Sequence, residues 1–155
     1  MVVIPDMSHC YTNLNVHLIF HAKAQGCVIA EDDLSRVFHY IGGIVNSLEG
    51  HVYTVGGRPD HIHILATLPA TKSISDFVRD IKSNTSRWIK GIDTRYQKFA
   101  WQEGYGAFAV SASNIKAVCD YISNQKDHHR TRSTQEEFHQ FLQKHGIQIN
   151  YQREF

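Results

Sequence analysis

The order in which strand-like and helix-like segments follow one another is the feature that most constrains the fold of this chain. Residues 10–22 alternate between two sets of side chains, one containing Leu18 and Phe20 and the other His17 and His21. This alternation predicts a strand with one apolar and one mostly polar face. The pattern continues as helix, strand, strand, helix and strand in residues 31–48, 51–56, 61–67, 73–89 and 105–110.

Helical spacing returns twice after the last strand. We expect Ser113 to cap the first of these two helices, and Thr134 with Glu137 to form a capping box at the start of the second. The complete order is typical of an α+β fold, a ferredoxin-like βαββαβ sheet with helices on one face. The other face is then free for function, and we expect the helix that carries Tyr121 to lie on it.

Composition excludes several classes of protein. With 155 residues, of which 42% are hydrophobic and 20% charged, we expect one domain spanning residues 1–155. The formal net charge of +1 does not by itself indicate a nucleic-acid partner. No apolar run approaches the roughly 18 residues that span a bilayer, and residues 1–11 show no secretion signal. Three widely spaced cysteines indicate reduced thiols, so we expect a cytoplasmic protein without a membrane partner.

Eleven histidines are unusually many for this length, and two of them form the sharpest motif. His61 and His63 flank Ile62 on a predicted strand, where residues two apart share a face, so both imidazoles project together. Two neighbouring imidazoles are half of a site for a divalent metal ion. The spacing alone is equally consistent with two polar histidines on a solvated sheet face.

A second group of polar residues lies on one side of a late helix, where Tyr121, Gln125 and His128 are spaced by four and three residues. By itself this pattern favours an amphipathic tyrosine at a helix edge. If the helix lies on the face with the two histidines, Gln125 would add an oxygen ligand and the phenol of Tyr121 would attack a phosphodiester beside the metal. A phosphotyrosine ester retains the energy of that bond, so strand rejoining needs no ATP, and the chain has no nucleotide-binding loop.

Basic residues are concentrated in one segment. Residues 72–98 contain seven Lys and Arg against three Asp, whereas residues 1–71 contain three basic and six acidic residues. Such a segment could follow a nucleic-acid backbone, with Lys82, Arg87 and Lys90 as candidate contacts. A solvated helix face is the ordinary alternative.

These motifs together resemble the small single-tyrosine transposases of the insertion-sequence-200-like elements, which belong to the His-hydrophobe-His (HUH) nuclease superfamily. The combination of His-Ile-His after a turn with Tyr-x-x-x-Gln on a late helix is specific, and Trp-Gln-Glu-Gly-Tyr-Gly-Ala-Phe at 101–108 is more so. The resemblance extends over nearly the whole chain, through residues 15–23, 56–69, 74–89, 99–115 and 121–130.

The resemblance implies a transposase and endonuclease that cleaves and rejoins single-stranded DNA with hairpin ends during DNA transposition and recombination. It implies that Tyr121 is the nucleophile, which forms a 5′-phosphotyrosine link, and that His61, His63 and Gln125 bind magnesium or manganese. Imidazole ligands favour manganese over magnesium. It also implies a homodimer in which the tyrosine helix of one subunit completes the histidine site of the other, with a hinge at residues 111–114.

The sequence is also consistent with other functions. A non-catalytic single-stranded nucleic-acid-binding module can use an open ferredoxin-like sheet, although the first strand carries Asn and His there rather than paired aromatic residues. A domesticated repeat-associated tyrosine transposase or a replication initiator would use the same chemistry on another target, and a histidine-rich protein could simply bind metal. His17 could line the path of bound DNA, and His128 and His129 are further candidates near the metal or a phosphate.

Overall fold

The computed structural model describes residues 11–23, 27–124 and 133–148. Its strands are β1 (Asn15–His21), β2 (His51–Arg58), β3 (His61–Thr67) and β4 (Gly106–Ala109). Its helices are α1 (Glu31–Ser47), α2 (Ile74–Ile92), α3 (Ile115–Ser123) and α4 (Thr134–Lys144), and short 3-10 turns cover Thr94–Tyr96 and Ala112–Asn114. The predicted βαββαβ order, with two helices after it, is confirmed.

The four strands form one antiparallel sheet in the order β2-β3-β1-β4. The two connections through helices therefore each skip one strand, as in a ferredoxin-like fold. In the central pair, Ile19 is opposite His63 and His21 is opposite His61. Directly opposed residues share a face, so this register places histidines of two strands side by side.

One face of the sheet forms the main hydrophobic core. Leu18, Phe20, Ile62 and Ile64 are at most 1% exposed and pack against the apolar sides of α1 and α2. Burial of such a side chain stabilises a fold by about 1.5–3 kcal/mol. The alternation in β1 and the helical stripes in α1 and α2 are thus confirmed as core positions.

The opposite face of the sheet is covered by α3, as expected, and also by α4, which corrects the expectation that the rest of this face is free. Helix α3 packs on it through a cluster of Leu65, Val110 and Ile122, and α4 packs through Ile19, Phe108 and Leu142. The helix that carries Tyr121 therefore lies on the predicted face. The additional cover by α4 arises because Phe138, Phe141 and Leu142 form an apolar side that matches β1 and β4.

Local turns differ from the sequence predictions in three places. Strand β2 continues through Gly57 to Arg58, because Gly57 adopts φ +143° and an added Cβ would lie 2.2 Å from the carbonyl oxygen of His61. A 3-10 turn, rather than a cap by Ser113, precedes α3. Helix α4 is capped by Ser133 with Glu136, not by Thr134 with Glu137, so the capping box lies one residue earlier. Within the described ranges, none of the helices has the length and apolar character needed to cross a bilayer.

Candidate active site

Four histidines form a row across β1 and β3 beneath helices α3 and α4. The ring centroids are 5.1 Å apart for His17 and His63, 5.1 Å for His61 and His63, and 5.5 Å for His21 and His61. His17, His61 and His63 are at most 2% exposed. The prediction that the two motif histidines project together is confirmed, whereas the alternative of a solvated pair is wrong because both side chains are buried.

Hydrogen bonds orient both motif histidines. His61 Nδ1 lies 2.7 Å from a carboxylate oxygen of Asp60, and His63 Nδ1 lies 2.9 Å from Nε2 of His17. Metal-binding histidines commonly hold one ring nitrogen in such a bond to a carboxylate or other acceptor, which sets the tautomer and leaves the other nitrogen for the metal. Ligation by His63 through Nε2 requires that its Nδ1–H donates to His17.

His17 is thus a hydrogen-bond partner of His63. It does not line an open path for DNA, because its side chain is fully buried. Burial, and then the charge of nearby His145, lower the pKa of His17 to about 3. Burial and the charge of His61 lower the pKa of His21 to about 4, against the opposite effects of Asp60 and Glu137. Both imidazoles are consequently neutral near pH 7, as an acceptor for His63 must be. The alternation of β1 placed His17 on this face, but only the covering helices show that it is buried.

Tyr121 reaches the histidines from α3. Its ring centroid lies 5.9 Å from that of His63 and 6.2 Å from that of His17. The helix can approach this closely because Gly56, opposite His63 in β2, has no side chain. An added Cβ at Gly56 would lie 2.7 Å from both Cγ2 and the carbonyl oxygen of Ile122. The nucleophile predicted from sequence and the two predicted ligands thus come together within one chain.

Helix α4 closes the site from the other side. Phe138 packs edge-on against His21 and Phe141 against His17, with ring centroids 5.7 and 4.8 Å apart. The phenol of Tyr121 donates a hydrogen bond to Oε1 of Glu137. The resulting pocket, with an empty volume of about 210 Å³ that includes space open to solvent, is lined by Ile19, His21, His61, His63, Tyr121, Glu137, Phe138 and Phe141. The sequence pattern predicts Glu137 in a helix cap, but the cap lies one residue earlier, so Glu137 faces Tyr121 instead.

Three of the predicted residues, Gln125, His128 and His129, lie outside the described residues. Helix α3 ends at Ser123, with Asn124 as its C-cap. In the part of the chain that the structure describes, no group of three or more His, Cys, Asp or Glu side chains is arranged to hold a metal ion. The two oriented imidazoles of His61 and His63 fit half of such a site, and further ligands would have to be added to them.

The three basic candidates lie on α2, across the sheet from the histidines. The ammonium group of Lys82 donates to the carbonyl oxygens of Gln102 and Gly104 at 2.7 and 2.9 Å, and burial lowers its pKa. This lysine therefore holds the loop before β4. Arg87 and Lys90 are exposed. Arg79, in contrast, forms ion pairs with Asp76 and Asp80.

Most of the chain matches the model of a known protein family. The model of the family described as "Transposase IS200 like" matches residues 10–125, which include the histidine pair, Tyr121 and the four strands. The chain belongs to the IS200-like transposase family. The resemblance drawn from the motifs is confirmed. Among curated proteins, none matches this transposase significantly in sequence.

Solved structures share the fold of this transposase. A candidate transposase from Deinococcus radiodurans R1 superposes with a TM-score of 0.60 at 20% identity, over 79% of this chain and 98% of that one. A REP-associated tyrosine transposase bound to a REP hairpin superposes with a TM-score of 0.57 at 16% identity, over 81% of this chain and 74% of that one. At these identities the two structures support the α+β fold of this transposase.

Replacement of Gly56 by Ala is expected to separate Tyr121 from His63. The new methyl group would meet the backbone of Ile122, so α3 must shift outward, and such overpacking costs about 1–3 kcal/mol in the free energy of unfolding. Chemical denaturation measures that loss, and ring-to-ring nuclear Overhauser effects between Tyr121 and His63 should weaken. Gly43→Ala is the matched control, because an added Cβ there meets nothing within 4 Å and should leave both measurements at or above the wild-type level. Unchanged Overhauser effects in folded Gly56→Ala would contradict this account of the helix position.

Proposed function

We propose that this transposase cleaves and rejoins single-stranded DNA through a covalent 5′-phosphotyrosine intermediate on Tyr121. The observation that carries the proposal is the position of the Tyr121 ring, 5.9 Å from the ring of His63 in a pocket that both residues line. A phenol within a row of oriented imidazoles is suited to nucleophilic attack on a phosphodiester. Family membership supports DNA strand transfer as the overall reaction.

A divalent metal ion, magnesium or manganese, is part of this proposal. His61 and His63 would hold it through Nε2, because their Nδ1 atoms are engaged by Asp60 and His17, and Gln125 would add an oxygen ligand. When bound, the ion supplies Lewis-acid polarisation of the phosphodiester. Two imidazole ligands suit manganese better than magnesium, because magnesium prefers oxygen ligands.

The residues of the chain would orient the nucleophile and exclude water. Ile122 packs on Leu65 and thereby sets the rotation of α3 that directs Tyr121 toward the sheet. Phe138 and Phe141 close the opposite wall of the pocket. With the 3′-OH left by cleavage and the phosphotyrosine ester held in the same pocket, rejoining is the reverse of the same displacement, so no nucleotide cofactor is required.

The proposed partners are single-stranded DNA with hairpin ends and a second copy of the chain. The similar REP-associated transposase is described as bound to a REP hairpin, which supports hairpin DNA as the ligand class and keeps a domesticated repeat-associated enzyme as the alternative within the same chemistry. A non-catalytic module that stacks bases on the open sheet is disfavoured, because α3 and α4 cover that face. We place the protein in the cytoplasm, where its thiols stay reduced.

Incubation with a single-stranded oligonucleotide that carries a hairpin is expected to yield a covalent protein–DNA species when a divalent metal is present. The species, seen on a denaturing gel, should disappear with a chelator and in Tyr121→Phe, which lacks the attacking oxygen. Tyr53→Phe is the matched control, since Tyr53 lies on the same sheet face but bonds to Asn15 and should still form the species. An adduct that persists in Tyr121→Phe would show that the nucleophile is another residue.

The structure supports a site assembled within one chain, whereas the resemblance implies sites shared between subunits of a homodimer. If Tyr121 serves its own histidines, a mixture of His63→Ala and Tyr121→Phe proteins should not regain cleavage. Differently tagged subunits establish whether mixed dimers are present. Restored cleavage in proven mixed dimers would instead show that one subunit supplies the tyrosine to the histidines of the other, with a movement about the turn Ala112–Asn114.

Arg87 and Lys90 are proposed to contact DNA phosphates. Lys82 is proposed to affect DNA binding mainly by holding the loop before β4, because its ammonium group is bonded to two carbonyl oxygens of that loop. Replacing both Arg87 and Lys90 by Ala should reduce the slope of log affinity against log salt by about 1.4, since each contact to single-stranded DNA contributes about 0.7. Filter binding at several salt concentrations measures the slope. Arg79→Ala is the control, because Arg79 is paired with Asp76 and Asp80. An unchanged slope in the double variant would identify this side of α2 as a solvated face.

A further inference from the structure

Helix α4 brings a carboxylate to the reacting oxygen of the proposed nucleophile. The helix is held on the sheet by Leu142 in a cluster with Ile19 and Phe108, and by the edge-on contacts of Phe138 and Phe141 with histidines of β1. Its capping box is formed by Ser133 and Glu136. Glu137, the next residue, is therefore not part of the cap and lies in the wall of the pocket.

The contact made by Glu137 is to the atom that would form the covalent bond. Oε1 of Glu137 accepts the hydrogen bond of the Tyr121 phenol. A phenol is a weak nucleophile while it holds its proton, so it needs an acceptor for that proton as it attacks. A carboxylate that already holds this hydrogen bond meets the geometric requirement for a general base.

We propose that Glu137 is the catalytic base that takes the proton of Tyr121 during attack and returns it during rejoining. This assignment rests on the proposed function of Tyr121. It adds to the reaction a residue from α4, a helix that lies beyond the residues matched by the family model. Two groups in the pocket then have separate roles. The histidines act on the phosphodiester through the proposed metal ion, and the carboxylate of Glu137 acts on the nucleophile.

The cleavage step moves one proton and replaces one phosphorus–oxygen bond by another. The phenol oxygen of Tyr121 forms a bond to phosphorus while its proton passes to the carboxylate of Glu137. The bond between phosphorus and the 3′-oxygen breaks, and that oxygen takes a proton from water to leave as a 3′-OH. In rejoining, a 3′-OH attacks the phosphotyrosine and gives its proton to water, the bond between phosphorus and the tyrosyl oxygen breaks, and protonated Glu137 returns its proton to Tyr121.

The test compares Glu137→Gln with Glu136→Gln in the full chain. Gln at 137 keeps the size and a hydrogen-bonding oxygen but is a negligible base, so the rate of adduct formation on a hairpin oligonucleotide should fall by about 10²–10⁴-fold. DNA binding, measured by filter retention, should be unchanged. Glu136→Gln alters only the neighbouring cap residue and should retain a rate close to that of the wild type.

The pH dependence separates a base from a merely structural residue. Without Glu137 the phenol must lose its proton to hydroxide, so the rate of Glu137→Gln should rise with pH, and its deficit against the wild type should shrink. A rate equal to or above the wild type at neutral pH would overturn the proposal, and would show that α4 restrains Tyr121. A deficit that stays constant with pH would overturn it as well, because Glu137 would then only hold α4 in place.

Failure of the proposed role of Tyr121 gives a different result from failure of the proposed role of Glu137. If the wild-type protein forms no adduct, or if Tyr121→Phe retains one, the role of Tyr121 is wrong and that of Glu137 falls with it. A wild-type adduct that depends on Tyr121, together with an unaffected Glu137→Gln variant, rejects the base alone.

Discussion

The approach of α3 to strand β2 is the packing contact on which the candidate site depends. Gly56 lies opposite His63 in the sheet, and the backbone of Ile122 occupies the space that a side chain at Gly56 would need. Because Ile122 directly follows Tyr121, this contact sets both the height and the rotation of the tyrosine over the histidines. The distance between the rings of Tyr121 and His63 is therefore a consequence of core packing, in which shifts of a few tenths of an ångström are resisted.

Burial of the histidine row has a chemical consequence. His17 and His21 are held neutral, with pKa values of about 3 and 4, because charged imidazolium would be poorly solvated beneath two helices. Neutral His17 can accept a hydrogen bond from Nδ1–H of His63 through its Nε2, and the carboxylate of Asp60 can accept one from Nδ1–H of His61. The pairing of β1 with β3, in which Ile19 is opposite His63, brings His17 next to His63, and the turn between β2 and β3 supplies Asp60 beside His61.

The two helices on the histidine face, α3 and α4, differ in role from α1 and α2 on the opposite face of the sheet. Helices α1 and α2 bury the main core, and on α2 Lys82 donates to loop carbonyls, Arg79 pairs with aspartates of its own helix, and Arg87 and Lys90 are exposed. Helices α3 and α4 contribute fewer apolar contacts but carry Tyr121 and Glu137 to one pocket. Elements with less buried apolar surface are the ones most able to open locally, as the proposed reaction on a DNA strand at this face requires.

Sequence patterns alone determined the order of elements, the two faces of β1 and the pairing of His61 with His63, because periods of 2 and 3.6 are local properties of strand and helix. The motif resemblance added the family, which the family match confirms, and the assignment of Tyr121 as the nucleophile, which stays a prediction. Gln125 remains a sequence prediction, since it lies outside the described residues. Periodicity could not reveal that His17 is buried behind His63, that Lys82 serves a loop, or that Glu137 meets Tyr121. Each of these depends on which helix covers which strand, and on a cap that lies one residue earlier than predicted. Such contacts join residues 16 to 46 positions apart, and only the packed structure decides them.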